Sequence, residues 1–152
     1  MGTAIHVELW GDDKAAAAAA LDAVMQEMHR IDALMSHYKD SSELSRVNRD
    51  AARQPVQVTA ELFDLLARSI AFSKLSGGAF DITTAPLVGL WGFGPKGRVH
   101  DPPSDAAIAE AMKHMGWNKL EARDEPPALR KVDPEIEINV SAMADGYACD
   151  GL

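Results

Sequence analysis

Apolar and polar residues alternate along Ile5-His6-Val7-Glu8-Leu9-Trp10, the period of a half-buried strand with His6 on its exposed side. Gly11-Asp12-Asp13 ends that strand and caps a helix running from about Lys14 to Met35. Six consecutive alanines open this helix, and Leu21, Val24, Met25, Met28, Ile31 and Leu34 follow at helical spacing as its core face. Asp40-Ser41-Ser42-Glu43 has the form of a capping box before a short helix ending at Asn48. Pro55-Val56-Gln57-Val58 reads as a short strand. Thr59 caps a helix to about Ser76 that is expected to bury Leu62, Leu65, Leu66 and Phe72, with Glu61 in its first turn. Pro102-Pro103-Ser104-Asp105 opens another helix, with Ile108, Met112 and Met115 inward and Gly116 as its stop. Lys119–Glu121 and Arg130–Val132 read as strands around Pro126-Pro127. Ile136, Ile138 and Val140 then alternate with Glu137, Asn139 and Ser141, which predicts a strand with one apolar face running into a helix at Ala142-Met143-Ala144-Asp145-Gly146-Tyr147.

The strands are short and irregularly spaced, with no repeating βαβ rhythm. That pattern predicts a single α+β domain over residues 1–152, with helices packed on a mainly antiparallel sheet. An open sheet edge calls for cover, which dimerisation or poorly ordered chain ends would supply. A net charge of −8 without a basic cluster makes nucleic acid and anionic membrane surfaces poor partners. An acidic chain that binds a phosphate-rich ligand needs backbone amides or a metal to offset repulsion. Cys149 is the one cysteine, so no intrachain disulfide forms, and it reads as a small buried hydrophobe. No apolar run reaches membrane-spanning length.

One stretch fits neither pattern. Ser76 to Gly94 is too rich in glycine for a helix interior and too apolar for a solvated loop, and Pro86 must sit at an element end or a break. Such a run serves equally as a tight core crossing or as a ligand cradle, with Asp81 as a solvent-facing polar anchor after Phe80. Tyr38, a loop aromatic with a polar tip, suits closing a core or covering a ligand. Lys96 and Arg98 read as solvated loop cations. Asn139, Ser141 and Asp145 stand where a strand feeds a helix start, which is either plain punctuation or a favourable place for a nucleotide.

Gly78-Ala79-Phe80-Asp81-Ile82-Thr83, followed by Pro86-Leu87-Val88 and Leu90-Trp91-Gly92-Phe93-Gly94, closely resembles the signature of the ApbE family. Its members are FAD:protein FMN transferases, once described as thiamine-biosynthesis lipoproteins. Three further blocks fit in order: Met1-Gly2-Thr3, Ser36-His37-Tyr38 through Ser42-Glu43-Leu44-Ser45-Arg46-Val47-Asn48, and Ile138 through Asp150. The resemblance implies an FAD site lined by Met1, Tyr38, Ala79, Phe80, Asp81, Asn139 and Asp145, with the Ala142 carbonyl as a ligand for Mg2+. It departs from the family in three places. Asn139 replaces a common aspartate, Asp145 stands where lysine or glutamate is more usual, and Ala85 replaces a glycine.

The implied reaction moves the FMN moiety of FAD onto a threonine or serine hydroxyl of a partner flavoprotein, with AMP leaving. That is a matter of positioning and charge neutralisation. The changed Asn139 and Asp145 motivate an alternative, an FAD pyrophosphatase giving FMN and AMP, and a non-catalytic FAD-binding module is a third reading. No catalytic group is assigned. Family members continue well past the Ala-Asp-Gly-Tyr-Ala motif, so the chain is expected to be an N-terminal portion, inactive by itself, with further metal ligands elsewhere. The resemblance also implies a periplasmic protein, or one held at the inner membrane by an upstream lipid anchor.

Overall fold

Asp13 opens the first helix by accepting hydrogen bonds at Oδ1 from the Ala15 and Ala16 amides, at 2.9 and 3.1 Å. These amides lack intrahelical partners, which is why a short acidic side chain suits the position. The helix, α1 (Lys14–Met35), belongs to a computed structural model that describes residues 5–93, 97 and 101–151. Only its C-terminal half reaches the core. Met28, Ile31 and Met35 are buried, whereas Leu21 and Met25 are exposed because the alanine-rich end extends past the elements that α1 packs on. Helical spacing marks a face, but not how much of its length is covered.

A short turn leads to α2 (Glu43–Asp50), capped by Ser42 rather than Asp40. Buried Ser42 Oγ accepts from the Ser45 amide and donates to the Ser36 carbonyl. Glu43, freed from capping, reaches forward to accept from the Thr59 amide and hydroxyl at 2.7 and 3.0 Å. Thr59 in turn caps α3 (Ala60–Leu75), so one carboxylate ties two helix starts together. Leu62, Leu65 and Leu66 of α3 are buried as expected. Phe72 is half exposed, and packs edge-on against Phe80 with ring centroids 5.2 Å apart. Gly77 and Gly78 end α3 at φ 62° and 86°, and the Gly78 amide donates back to the Ser73 carbonyl. A side chain at either position would be strained.

The sheet has three antiparallel strands: β1 (Val56–Gln57), β2 (Leu120–Arg123) and β3 (Ala128–Lys131), in the order β1-β3-β2. Val56 pairs with Leu129, and Leu120 with Lys131. The expected strand at residues 5–10 does not form, because no neighbouring segment among the described residues pairs with it; Ile5, Leu9 and Trp10 are exposed. Residues 136–140 are not a strand either, although Ile136, Ile138 and Val140 are fully buried on the side the alternation predicts. Their backbone groups find partners outside the sheet, as described below.

Two further short helices, α4 (Ala85–Leu90) and α5 (Asp105–Lys113), pack together. Pro86 lies in the first turn of α4, where its missing N–H costs nothing, while Gly89 sits inside this helix despite its low propensity. Ser104 caps α5, whose Met112 is exposed rather than inward. The last helix, α6 (Ser141–Asp150), buries Ala144 and Ala148 against α1, while Cys149 is exposed because it falls off this small-residue face. One core joins α1, α2, α3, β3, residues 136–140 and α6. Each large aliphatic side chain in it contributes about 1.5–3 kcal/mol.

Candidate functional site

Phe80 to Thr83 is where the glycine-rich stretch dives into the core. Ile82 and Thr83 are fully buried, Phe80 and Asp81 half-buried, and Ala79 exposed. Asp81 is not the solvent-facing anchor expected from sequence. Its Oδ1 accepts from the Thr83 amide at 2.8 Å and hydroxyl at 2.7 Å, and its Oδ2 accepts from the Trp117 amide at 3.0 Å. The Thr83 hydroxyl, having donated to Asp81, accepts from the Gly116 amide at 2.7 Å. The carboxylate therefore shapes its own loop and clasps the turn after α5. Gly116 has a φ of 129° there, and a Cβ at that position would meet Asn118 Oδ1 at 2.7 Å.

The same crossing meets residues 136–140. The Asn139 amide donates to the Ile82 carbonyl at 2.8 Å, bringing Asn139 beside the Phe80–Thr83 run. On the opposite side, the Asn48 side chain holds Ile138. Asn48 Oδ1 accepts from the Ile138 amide at 2.7 Å, and Nδ2 donates to its carbonyl at 2.9 Å. Asn139 Oδ1 accepts from the Ser141 amide at 2.9 Å and so shapes the entry to α6. Its Nδ2 has no partner among the described residues.

The structure thus joins Asn139 to the run that carries Phe80 and Asp81 through one backbone hydrogen bond, to Ile82. Tyr38 is exposed on the turn after α1, its ring 4.0 Å from that of His37. His37 lines a shallow cavity of about 400 Å³ with Asn48, Ile136 and Glu137, on the α2 side of the same segment. Burial pushes the His37 imidazole below its ordinary pKa, against the pull of Glu137. Ala142 and Asp145 are exposed in the first half of α6, and Asp145 has no side-chain partner among the described residues. Met1 lies outside the described residues, as do Gly94, Lys96 and Arg98.

A larger cavity, about 570 Å³, lies between α3 and α6 and includes Glu61, Arg68, Ala142, Met143 and Tyr147 in its walls. The Tyr147 hydroxyl donates to Glu61 Oε1 at 2.5 Å, and the Arg30 guanidinium binds both Glu61 and Glu27. Arg30 and Tyr147 hold the Glu61 carboxyl below its usual pKa, and that same hydrogen bond raises the Tyr147 phenol. Among the described residues no three His, Cys, Asp or Glu side chains stand together as a metal site. With the Ala142 carbonyl as the single donor expected from sequence, the described residues do not by themselves make a magnesium site.

Sequence reading missed four participants: Thr83, Asn48, Lys131, whose Nζ donates to the Asn48 and Ile136 carbonyls, and the Arg30–Glu61–Tyr147 tie. Lys131 left a signal, since it shares the inward side of β3 with Leu129. Asn48 left none beyond its place in a matched block, because its partner Ile138 is 90 residues away.

Residues 1–152 match the model of the ApbE family. The FAD:protein FMN transferase of Haemophilus influenzae is 33% identical over 99% of this chain and 45% of its own length. That of Klebsiella pneumoniae is 34% identical over the whole chain and 44% of its own length. Among solved structures, the flavin transferase ApbE from Vibrio cholerae superposes with a TM-score of 0.79 at 30% identity, covering 92% of this chain and 44% of that one. The ApbE protein from Thermotoga maritima gives 0.80 at 29% identity, covering 93% and 45%. The chain therefore spans a little under half the length of the relatives it matches.

Proposed function

We propose, since the chain belongs to the ApbE family, that the whole protein is an FAD:protein FMN transferase. It moves the FMN moiety of FAD onto a threonine or serine hydroxyl of a partner flavoprotein and releases AMP. The observation that carries this reading is the match of the entire chain, at about a third identity, to relatives named for that activity.

On this reading the flavin lies where the Phe80–Thr83 crossing meets Asn139, with Tyr38 and Asp145 at its margins. Two features support the placement. The half-buried Phe80 is available as an aromatic wall, and Asn139 Nδ2 is a donor without a partner among the described residues. The proposal includes Mg2+ as a requirement of the whole protein, with the Ala142 carbonyl as this chain's contribution. It also includes export, to the periplasm or to a lipid anchor at the inner membrane, on family grounds. No helix among the described residues is long and apolar enough to cross a membrane.

One observation favours a second reading. Asp145 presents a short, exposed carboxylate, without a partner among the described residues, where the family more often carries lysine or glutamate, and this suits hydrolysis of FAD to FMN and AMP. Chromatography of nucleotides released by the full-length protein with FAD and Mg2+ separates the two. Transferase activity gives AMP only when an acceptor flavoprotein is present. AMP released at the same rate without an acceptor would replace the transferase reading with the hydrolytic one.

A further inference from the structure

Residues 136–140 have the alternating burial of a strand but no strand beside them among the described residues, and two polar side chains bind their backbone instead. In an antiparallel sheet a residue exchanges one N–H and one C=O with the residue opposite. Asn48 performs both halves of that exchange with its carboxamide, accepting from the Ile138 amide at 2.7 Å and donating to the Ile138 carbonyl at 2.9 Å. An aspartate would lose the donor, and a serine hydroxyl cannot span both groups.

Asn48 is itself held in place. Lys131 is 2% exposed, and its Nζ donates to the carbonyls of Asn48, Ile136 and Pro134 at 2.5, 2.6 and 3.3 Å. No carboxylate pairs with it among the described residues, so the three carbonyls take up its three protons. One cation thus links the end of α2 to the start of the segment. On the far side, the Asn139 amide donates to Ile82. The peptide joining Ile138 to Asn139 is therefore fixed from two directions. With Oδ1 committed to Ser141, the Asn139 side chain presents Nδ2 alone.

We propose that Asn48 and Lys131 are positioning residues for the flavin site, holding residues 136–140 where no strand among the described residues pairs with them, so that Asn139 presents its side-chain amide at the Phe80–Thr83 crossing. This role rests on the transferase reading above, because it takes Asn139 as a flavin contact. Neither side chain touches flavin; both act through Asn139.

The test uses the full-length protein, with FAD affinity read from flavin fluorescence at a temperature where circular dichroism shows every variant folded. Asn48→Asp and Lys131→Met are each expected to weaken FAD binding about tenfold, the usual scale for supporting groups around a site. That loss disappears when Asn139 is already alanine, since both changes act through the same contact. Equal losses in the two backgrounds, or affinities within about twofold of wild type in folded variants, would reduce the pair to a structural clasp and overturn the proposal. Amide exchange in the unmodified protein supplies a check that needs no variant to fold. Ile138 and Asn139 are expected to be strongly protected, and exchange as fast as at Glu137, an exposed residue between them and Ile136, would also overturn it. If Asn139→Ala itself leaves FAD binding unchanged, the flavin placement fails and this inference with it; if it weakens binding while Asn48→Asp does not, only this inference fails.

Discussion

Asp81 accepts three hydrogen bonds, two from Thr83 and one from Trp117, and so couples the glycine-rich stretch to the turn after α5. Asp81→Ala leaves a buried threonine and a half-buried amide without their acceptor, at a cost of about 1–3 kcal/mol. Thermal unfolding is expected to show this loss, with Asp81→Asn recovering part of it by keeping one acceptor oxygen. An unchanged midpoint would mean that water substitutes freely at the site. Sequence alone marked Asp81 as important, because an acid directly after Phe80 in a glycine-rich, apolar run is conspicuous. It could not show which way the carboxylate points, since Trp117 lies 36 residues on. Phe72 and Cys149 failed for a related reason: helical period and residue type state a tendency to be buried, whereas coverage depends on what packs alongside.

Helix α6 carries Ala142 and Asp145, and its tie to α3 and α1 runs through Tyr147, Glu61 and Arg30. Glu61 has a folded-state pKa below its ordinary 4.5, chiefly because of Arg30 and then Tyr147. A carboxyl lowered in this way contributes stability that is fully present above 4.5 and is lost as pH falls through the lowered value. Wild type is therefore expected to be more stable than Glu61→Gln at pH 7, with the gap closing as acidification proceeds below 4.5. Denaturant midpoints across that range measure it, and a constant gap would show that the charge on Glu61 is not what matters. At this scale the helices α1, α2, α3 and α5 were legible from their cap residues, and α6 from its place directly after the alternating run, since Val140 at its start caps nothing with its side chain. The two strands read from alternation were not, at residues 5–10 and 136–140. Alternation specifies one buried face, but a strand also requires a hydrogen-bonding neighbour, and at 136–140 Asn48 and Lys131 take that place.

Among the described residues the molecule presents a three-stranded sheet, a hydrophobic core and cavities flanking the elements that carry Asn139 and Ala142. Its α+β architecture follows from the irregular strand spacing, and its superposition on ApbE structures agrees with four motif blocks in one order. The chemistry was less legible than the fold. Flavin contacts could be carried over only position by position, and the chain spans a little under half of its relatives. A net charge of −8 adds a physical demand, since a diphosphate must be met by amide donors or a cation.

The most direct test of the central claim is the intact mass of an acceptor flavoprotein after incubation with the full-length protein, FAD and Mg2+. Transfer predicts a gain equal to FMN less one water, abolished when the acceptor threonine or serine is replaced by alanine. An acceptor whose mass stays unchanged while FAD is consumed would contradict the account.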